Sequence, residues 1–190
     1  MGIDYLISSF FANNHQSSVL NAINILISNI SDNAYVFLIL AAFLLPFKKV
    51  RKLGIGIIVS ILFAWIINDF MLKKLIARPR PFETYPEFIP NVLYELPTSK
   101  SFPSGHTNVA FAVTAFFWCN YIATKKYLKT SIGITIFAVL VGFSRIYCVH
   151  HYFTDVLVGM IGGTCFGIGG YYISKLVFML EDKLMNASKT

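Results

Sequence analysis

Residues 144–155 place Arg145, His150, His151 and Asp155 within one short stretch of a chain that is only 13% charged. The stretch lies between two long apolar runs, where an unneeded charge is costly. His151 and Asp155 are four residues apart. If the following apolar run begins as a helix here, they share a face, and the carboxylate can hold the imidazole in one tautomer. Arg145 offers a planar fork of donors suited to phosphate oxygens. A base-like or nucleophilic histidine, its orienting acid and an anion clamp make a kit for phosphoryl transfer. Taken alone, the stretch reads equally well as a polar interfacial loop with a chance ion pair.

Two further clusters weigh on that choice. One is Lys73-x6-Arg80-Pro81, in which Lys73 follows Asp69 by four residues. A helical ion pair there would either position the lysine or merely neutralise two charges. The other is Pro103-Ser104-Gly105-His106, where a loop meets an apolar run. Ser104 can cap the coming helix, Gly105 lets the backbone approach a ligand, and free N–H groups favour an anion. Together the clusters supply three cations, a helix N-terminus, the histidines His106 and His151, and one carboxylate. Phosphoryl transfer asks for such parts: charge clamps, an in-line nucleophile and an acid for the leaving oxygen. Nothing in the sequence groups carboxylates, or His with Cys, as a metal would require. No metal and no cofactor are expected, and the cations would do the electrostatic work of a metal.

The elements that must hold these residues are membrane spans. The chain has 190 residues, 56% of them hydrophobic, which excludes an ordinary soluble domain. Several runs reach the roughly 20 residues needed to cross a bilayer. The fold expected is all-α: a polytopic transmembrane helix bundle of five to six spans forming a single membrane-embedded domain over 1–190. Residues 3–12 read as a short amphipathic helix at an interface, so that 1–16 form an interfacial segment. Asn13-Asn14-His15-Gln16 breaks it, with His15 a solvated loop residue. The run 17–47 is punctuated by Asn21, Asn24, Asn29, Ser31, Asp32 and Asn33, and reads as a polar helix leading into one span that ends near Pro46. A clear span covers 53–72. Residues 76–103 hold six of the seven prolines, so no helix runs through them, and this loop is long enough to be functional. Spans follow at 107–124, at 131–143 with its flanks, and at 153–180. The last carries Gly159, Gly163 and Gly167 at four-residue spacing, a ridge for close helix approach. The outer loop with the first two motifs thus occupies 73–106, and the third motif 144–155.

The net charge of +7 is spread over short basic clusters and makes no stripe, which argues against nucleic acid. Cys119, Cys148 and Cys165 have no paired spacing and read as small buried hydrophobes. Lys48, Lys49, Arg51 and Lys52, then Lys125, Lys126 and Lys129, connect spans on one side, and the positive-inside rule makes that side cytoplasmic. The Pro-rich loop and 144–155 then share the outer face. Lys73, Lys74, Arg78 and Arg80 stand on the wrong side for topology alone, so they are expected to bind something.

The three clusters, in this order, resemble the signature of the type 2 phosphatidic acid phosphatase superfamily, over residues 73–155 and with a matching arrangement of spans. The resemblance implies that His151 is the nucleophile that forms a phosphohistidine and Asp155 its orienter. His106 matches the acid for the leaving group. Lys73, Arg80 and Arg145 match the phosphate-binding cations, and Ser104 and Gly105 the hydroxyl and backbone donors. Only His151 keeps both motif spacings, which sets His150 aside. Arg78-Pro79 duplicates Arg80-Pro81 out of register, and Arg78 is left to touch a headgroup. The implied protein is a metal-independent hydrolase of a lipid phosphate or diphosphate in the bacterial plasma (inner) membrane, its site on the extracytoplasmic side. Undecaprenyl diphosphate is the favoured substrate, from similarity to phosphatases of the bacitracin-resistance type. Phosphatidylglycerophosphate, phosphatidic acid and lipid A phosphate are the alternatives. A carrier that only holds headgroups would need the cations but not His151 with Asp155. The expected partners are the lipid substrate and the bilayer; the sequence leaves the oligomeric state open.

Overall fold

A computed structural model describes residues 2–14, 17–88 and 96–187. His15, Gln16 and Pro90 lie outside the described residues. Among those described, every regular element is helical. Helix α1 spans Ile3–Asn13. Helix α2 spans Ser18–Ser31, started by Ser17, whose hydroxyl accepts the Leu20 N–H at 3.3 Å. A 3-10 turn over Asp32–Ala34 leads into α3, Tyr35–Leu44, across a bend of 48°. Part of the run's polar set points inward: Asn24, Ser28 and Ser31 are buried, while Val19, Leu20, Ile23, Leu26 and Ile30 are exposed. Asn24 donates to the Leu20 carbonyl at 2.8 Å and Ser31 to that of Ser28 at 3.0 Å, so both side chains donate within the helix. The polar helix and the span read from the sequence are therefore two limbs of one bent unit.

Helix α4, Arg51–Ala64, passes without a break into a π-helical segment, Trp65–Leu72, and then α5, Lys73–Ile76. Ala77 ends it in the left-handed region at φ 47°. The short α6, Pro81–Thr84, opens on a proline, with the Glu83 carboxylate accepting the Arg80 N–H at 2.6 Å. Helices α7, Gly105–Thr124, α8, Leu128–Tyr147, and α9, Phe153–Ala187, complete the bundle. By length and apolarity, three runs suit a membrane crossing: Arg51–Thr84, Leu128–Tyr147 and Phe153–Ala187; the bent α2–α3 pair makes a fourth if it counts as one.

Helix α7 is the axis of the packing, with every residue from Thr107 to Phe117 buried. Helix α9 lies against it on the glycine ridge. A Cβ at Gly163 would stand 2.1 Å from the Asn108 carbonyl oxygen, and one at Gly167 2.1 Å from that of Ala112. At Gly159 it would meet the Ser104 carbonyl oxygen at 2.8 Å. The ridge therefore serves packing within the chain. At the far end Arg51 pairs with Glu181 and Lys52 with Asp182, each at 3.7 Å, fastening the start of α4 to the late turns of α9.

Candidate active site

The three sequence clusters meet at one end of the bundle, around a cavity of about 1230 Å³. Lys73, Arg80, Gly105, His106, Arg145, His150 and His151 all line it, with Asp32, Asp69, Trp65, Lys74 and Lys100. Lys73 leaves the π-helical segment paired with Asp69, Nζ to Oδ1 2.6 Å. Its ammonium stands 3.2 Å from where a Cβ on Gly105 would lie, so the lysine and the start of α7 converge. Arg80 is buried and fixed on three sides. Its Nε donates to the Ser99 carbonyl at 2.7 Å, Nη2 to the Ser99 hydroxyl at 3.1 Å, and Nη1 to the His150 carbonyl at 2.7 Å. Burial pulls its pKa down to about 10, against the charges of Glu83 and Asp155, and it stays cationic at neutral pH. Arg145 closes α8, buried, with Nε and Nη2 each 3.3 Å from the Ser144 hydroxyl.

Between α8 and α9 the chain folds back on itself: the N–H groups of His150 and His151 both donate to the Arg145 carbonyl, at 3.1 and 3.2 Å. Buried Val149 takes φ 54° to allow it, an uncommon conformation for a β-branched residue and one found where a site over-determines the backbone. His151 Nε2 then lies 3.3 Å from Arg80 Nη1. A guanidinium only donates, so Nε2 carries the lone pair and the ring proton sits on Nδ1. Nδ1 faces Asp155 Oδ2 at 3.5 Å. Burial first, then the charges of Arg80, Lys73 and Arg145, hold the His151 pKa well below the usual histidine value, so the ring is neutral. His150, pushed down to about 2 chiefly by burial, acts through its carbonyl on Arg80.

Several expectations need correction. Helix α9 begins at Phe153, so a shared helical face is not what joins His151 to Asp155. Asp155 instead reaches back from the first turn and accepts the Tyr152 N–H at 2.9 Å. It is also the hub of the three clusters. Oδ2 accepts the Ser101 hydroxyl, Oδ1 accepts Arg78 Nη1 at 2.6 Å, and its carbonyl accepts the Ser104 N–H at 3.1 Å. Arg78 does not face the cavity. Its guanidinium stacks on Tyr152, 3.8 Å from the ring centre, and binds Asp155, Thr154 Oγ1 at 2.8 Å and Asp4 Oδ2 at 2.8 Å. Ser104 stands at the N-cap of α7 without capping it. Its hydroxyl is buried, 2.9 Å from that of Thr107.

The residues missed in the sequence are Asp4 and Asp32, which reach the site from far away, and Ser101, which lies just before the second cluster. Asp32 Oδ1 lies 3.3 Å from His106 Nε2. Among the described residues no three His, Cys, Asp or Glu side chains are grouped to hold a metal ion.

Fold and site together define a helical membrane protein with buried arginines and a neutral histidine around one cavity. The chain belongs to the PAP2 superfamily, which it matches over residues 53–178, and it is a membrane lipid phosphatase. It is 34% identical over 156 residues to an undecaprenyl-diphosphatase of Sulfolobus acidocaldarius, covering 80% of this chain and 69% of that one. It is 30% identical over 172 residues to the undecaprenyl-diphosphatase BcrC of Bacillus subtilis, covering 88% and 82%. Its fold is similar to that of a transmembrane PAP2 type phosphatidylglycerolphosphate phosphatase from Bacillus subtilis, with TM-score 0.67 and 26% identity over 93% of this chain and 84% of that one.

Proposed function

We propose that the protein hydrolyses undecaprenyl diphosphate to undecaprenyl phosphate through a phosphohistidine on His151. The observation that carries the mechanism is the approach of Arg80 to His151 Nε2, which puts the lone pair of a neutral imidazole among cations that would hold the phosphoryl oxygens. Lys73, Arg80, Arg145 and the Gly105 N–H clamp those oxygens. Nε2 attacks phosphorus while Asp155 keeps the proton on Nδ1. His106 protonates the leaving oxygen and then takes a proton from the water that releases phosphate. Ser104 supports this arrangement from behind, holding the start of α7 to Asp155. The two relatives similar over most of both chains favour a polyprenyl diphosphate as substrate. Phosphatidylglycerophosphate, phosphatidic acid and lipid A phosphate present the same headgroup chemistry to the same cations.

In this reading the chain is one membrane-embedded domain of the plasma membrane. The bent α2–α3 pair, α4 with its π-helical extension, α7, α8 and α9 make five crossings. Helix α1 lies at the interface, and the Pro-rich segment and the site face outward. Phosphate release by purified protein tests the function, across undecaprenyl diphosphate, phosphatidylglycerophosphate, phosphatidic acid and a lipid A phosphate. Undecaprenyl diphosphate should turn over fastest, with chelator present and with vanadate inhibiting. Activity that is lost to chelation and restored only by added metal would overturn the metal-free mechanism. Binding without turnover would favour a carrier.

A further inference from the structure

Asp32 lies outside the stretch matched by the superfamily, on the turn between α2 and α3, yet it lines the same cavity as the phosphate-facing cations. A carboxylate there repels an anionic substrate, so its position calls for a use. Its Oδ1 is 3.3 Å from His106 Nε2. The cavity's other lining carboxylate, Asp69, is engaged by Lys73 at 2.6 Å. Lys73 from α5 and Arg145 from α8 line the same cavity as the His106 ring. Asp32 is the negative group set against them.

We infer that Asp32 is the positioning residue of the acid: it accepts the Nε2–H of His106 and leaves Nδ1–H as the donor to the leaving oxygen. The inference rests on the phosphohistidine mechanism above. An imidazole can give up a proton as an acid only while both nitrogens carry one, and a fixed carboxylate on one nitrogen decides which proton leaves. In the first step the bond from His151 Nε2 to phosphorus forms and the bond to the leaving oxygen breaks. The Nδ1 proton of His106 passes to that oxygen, leaving a neutral ring still bonded to Asp32. In the second step water adds to phosphorus and the N–P bond breaks. The proton of that water goes to Nδ1, restoring the imidazolium. Asp32 stays ionised throughout, and each cycle consumes one water.

The test is the dependence on leaving group, measured in single turnovers of the full chain. Phosphatidic acid expels an alkoxide and needs the proton most, a polyprenyl diphosphate expels a phosphate monoester, and an aryl phosphate needs little help. Asp32→Ala should slow phosphatidic acid by about 10- to 100-fold, a share of what a general acid contributes. The diphosphate should lose less, and the aryl phosphate should stay within about threefold. Asp32→Asn keeps an acceptor but no charge and should fall between wild type and Asp32→Ala. Combined with His106→Ala, Asp32→Ala should add no further loss, because it acts through that ring. Turnover of the aryl phosphate also reports that the fold and His151 are intact. Equal losses on all three substrates, or additive losses in the double variant, would overturn the role of Asp32. So would a silent Asp32→Ala beside a selective His106→Ala. If His106→Ala itself shows no preference among the leaving groups, the acid assignment falls, and this inference with it.

Discussion

His151 and Asp155, four apart in sequence, are set by different forces, the first by charge and burial and the second by hydrogen bonding. Cations favour a neutral imidazole and a carboxylate favours a charged one, and spacing alone cannot rank them. The structure ranks them: His151 is buried beside Arg80, with Lys73 and Arg145 acting on it, while Asp155 Oδ2 stays 3.5 Å away. The neutral form attacks, so a lowered pKa extends activity toward acid, and loss of rate begins only as pH falls through that lowered value. In kcat/KM against pH for an aryl phosphate, the acid limb should lie below the ordinary histidine value of about 6.5. A limb at or above that value would mean that Asp155 dominates. His151→Ala should abolish turnover and the trapped phosphoenzyme alike. Asp155→Asn should do two things at once. It weakens catalysis by loosening the tautomer, and it leaves Arg78 facing a neutral group in a buried network, a loss of up to ~3–5 kcal/mol. A melting temperature in detergent unchanged from wild type would contradict the hub drawn around Asp155.

At the level of elements, the site depends on helices that contribute no reacting atom. Helix α1 is tied in by Asp4, which accepts the Thr154 N–H at 3.0 Å, the Thr154 hydroxyl at 2.6 Å and Arg78 at 2.8 Å. Burial would raise the Asp4 pKa, but the bonds from Arg78 and Thr154 outweigh it and lower it. The stabilisation is therefore full at neutral pH and is lost as pH falls through the lowered value. Asp4→Asn should cost about 1.5–3 kcal/mol, the worth of hydrogen bonds to a charged group. Hydrogen exchange should report it as faster opening over residues 3–13, with a smaller fall in rate passed through Arg78 to Asp155. Helix α9 sets the other side. Gly163→Ala drives a methyl into the Asn108 carbonyl, and backbone cannot step aside as a side chain can. Expected is a loss of about 1–3 kcal/mol and a drop in kcat, though residue 163 lies away from the cavity. This ridge was legible in the sequence because it is periodic, and the three clusters were legible because their spacings are fixed. Asp4 and Asp32 were not, since a lone carboxylate whose partner is 74 residues away leaves no local pattern. Spacing set Arg78 aside from the clamp, but its use as a tie was not legible, because its partners Asp4, Thr154 and Asp155 are 74 to 77 residues away.

For the molecule as a whole, the charges separate along the bundle axis. Lys48 and Lys49 precede α4, Arg51 and Lys52 open it, Lys125 and Lys126 lie between α7 and α8, and Lys129 is in the first turn of α8. The cavity is at the other end, where α4 leads into Lys73 and α7 begins. Helix α9 runs roughly 52 Å at 1.5 Å per residue, more than a hydrocarbon layer of about 30 Å, so its Glu181 and Asp182 reach beyond the apolar zone to pair with Arg51 and Lys52. Even with these two pairs, the end away from the cavity keeps a positive excess, which the positive-inside rule assigns to the cytoplasm. At the cavity end Lys73, Lys74, Arg80, Lys100 and Arg145 line the cavity, and Arg78 is taken up by Asp4 and Asp155. An outward-facing site is the expectation this charge asymmetry sets, and it can be measured. With Cys119, Cys148 and Cys165 replaced, single cysteines at Glu87 and at Lys126 probe the two ends, since both positions are exposed. In intact cells an impermeant thiol reagent should label position 87 and leave position 126 untouched until the membrane is opened. The reverse pattern would place the cavity on the cytoplasmic side, and the basic turns would then need a reason other than topology.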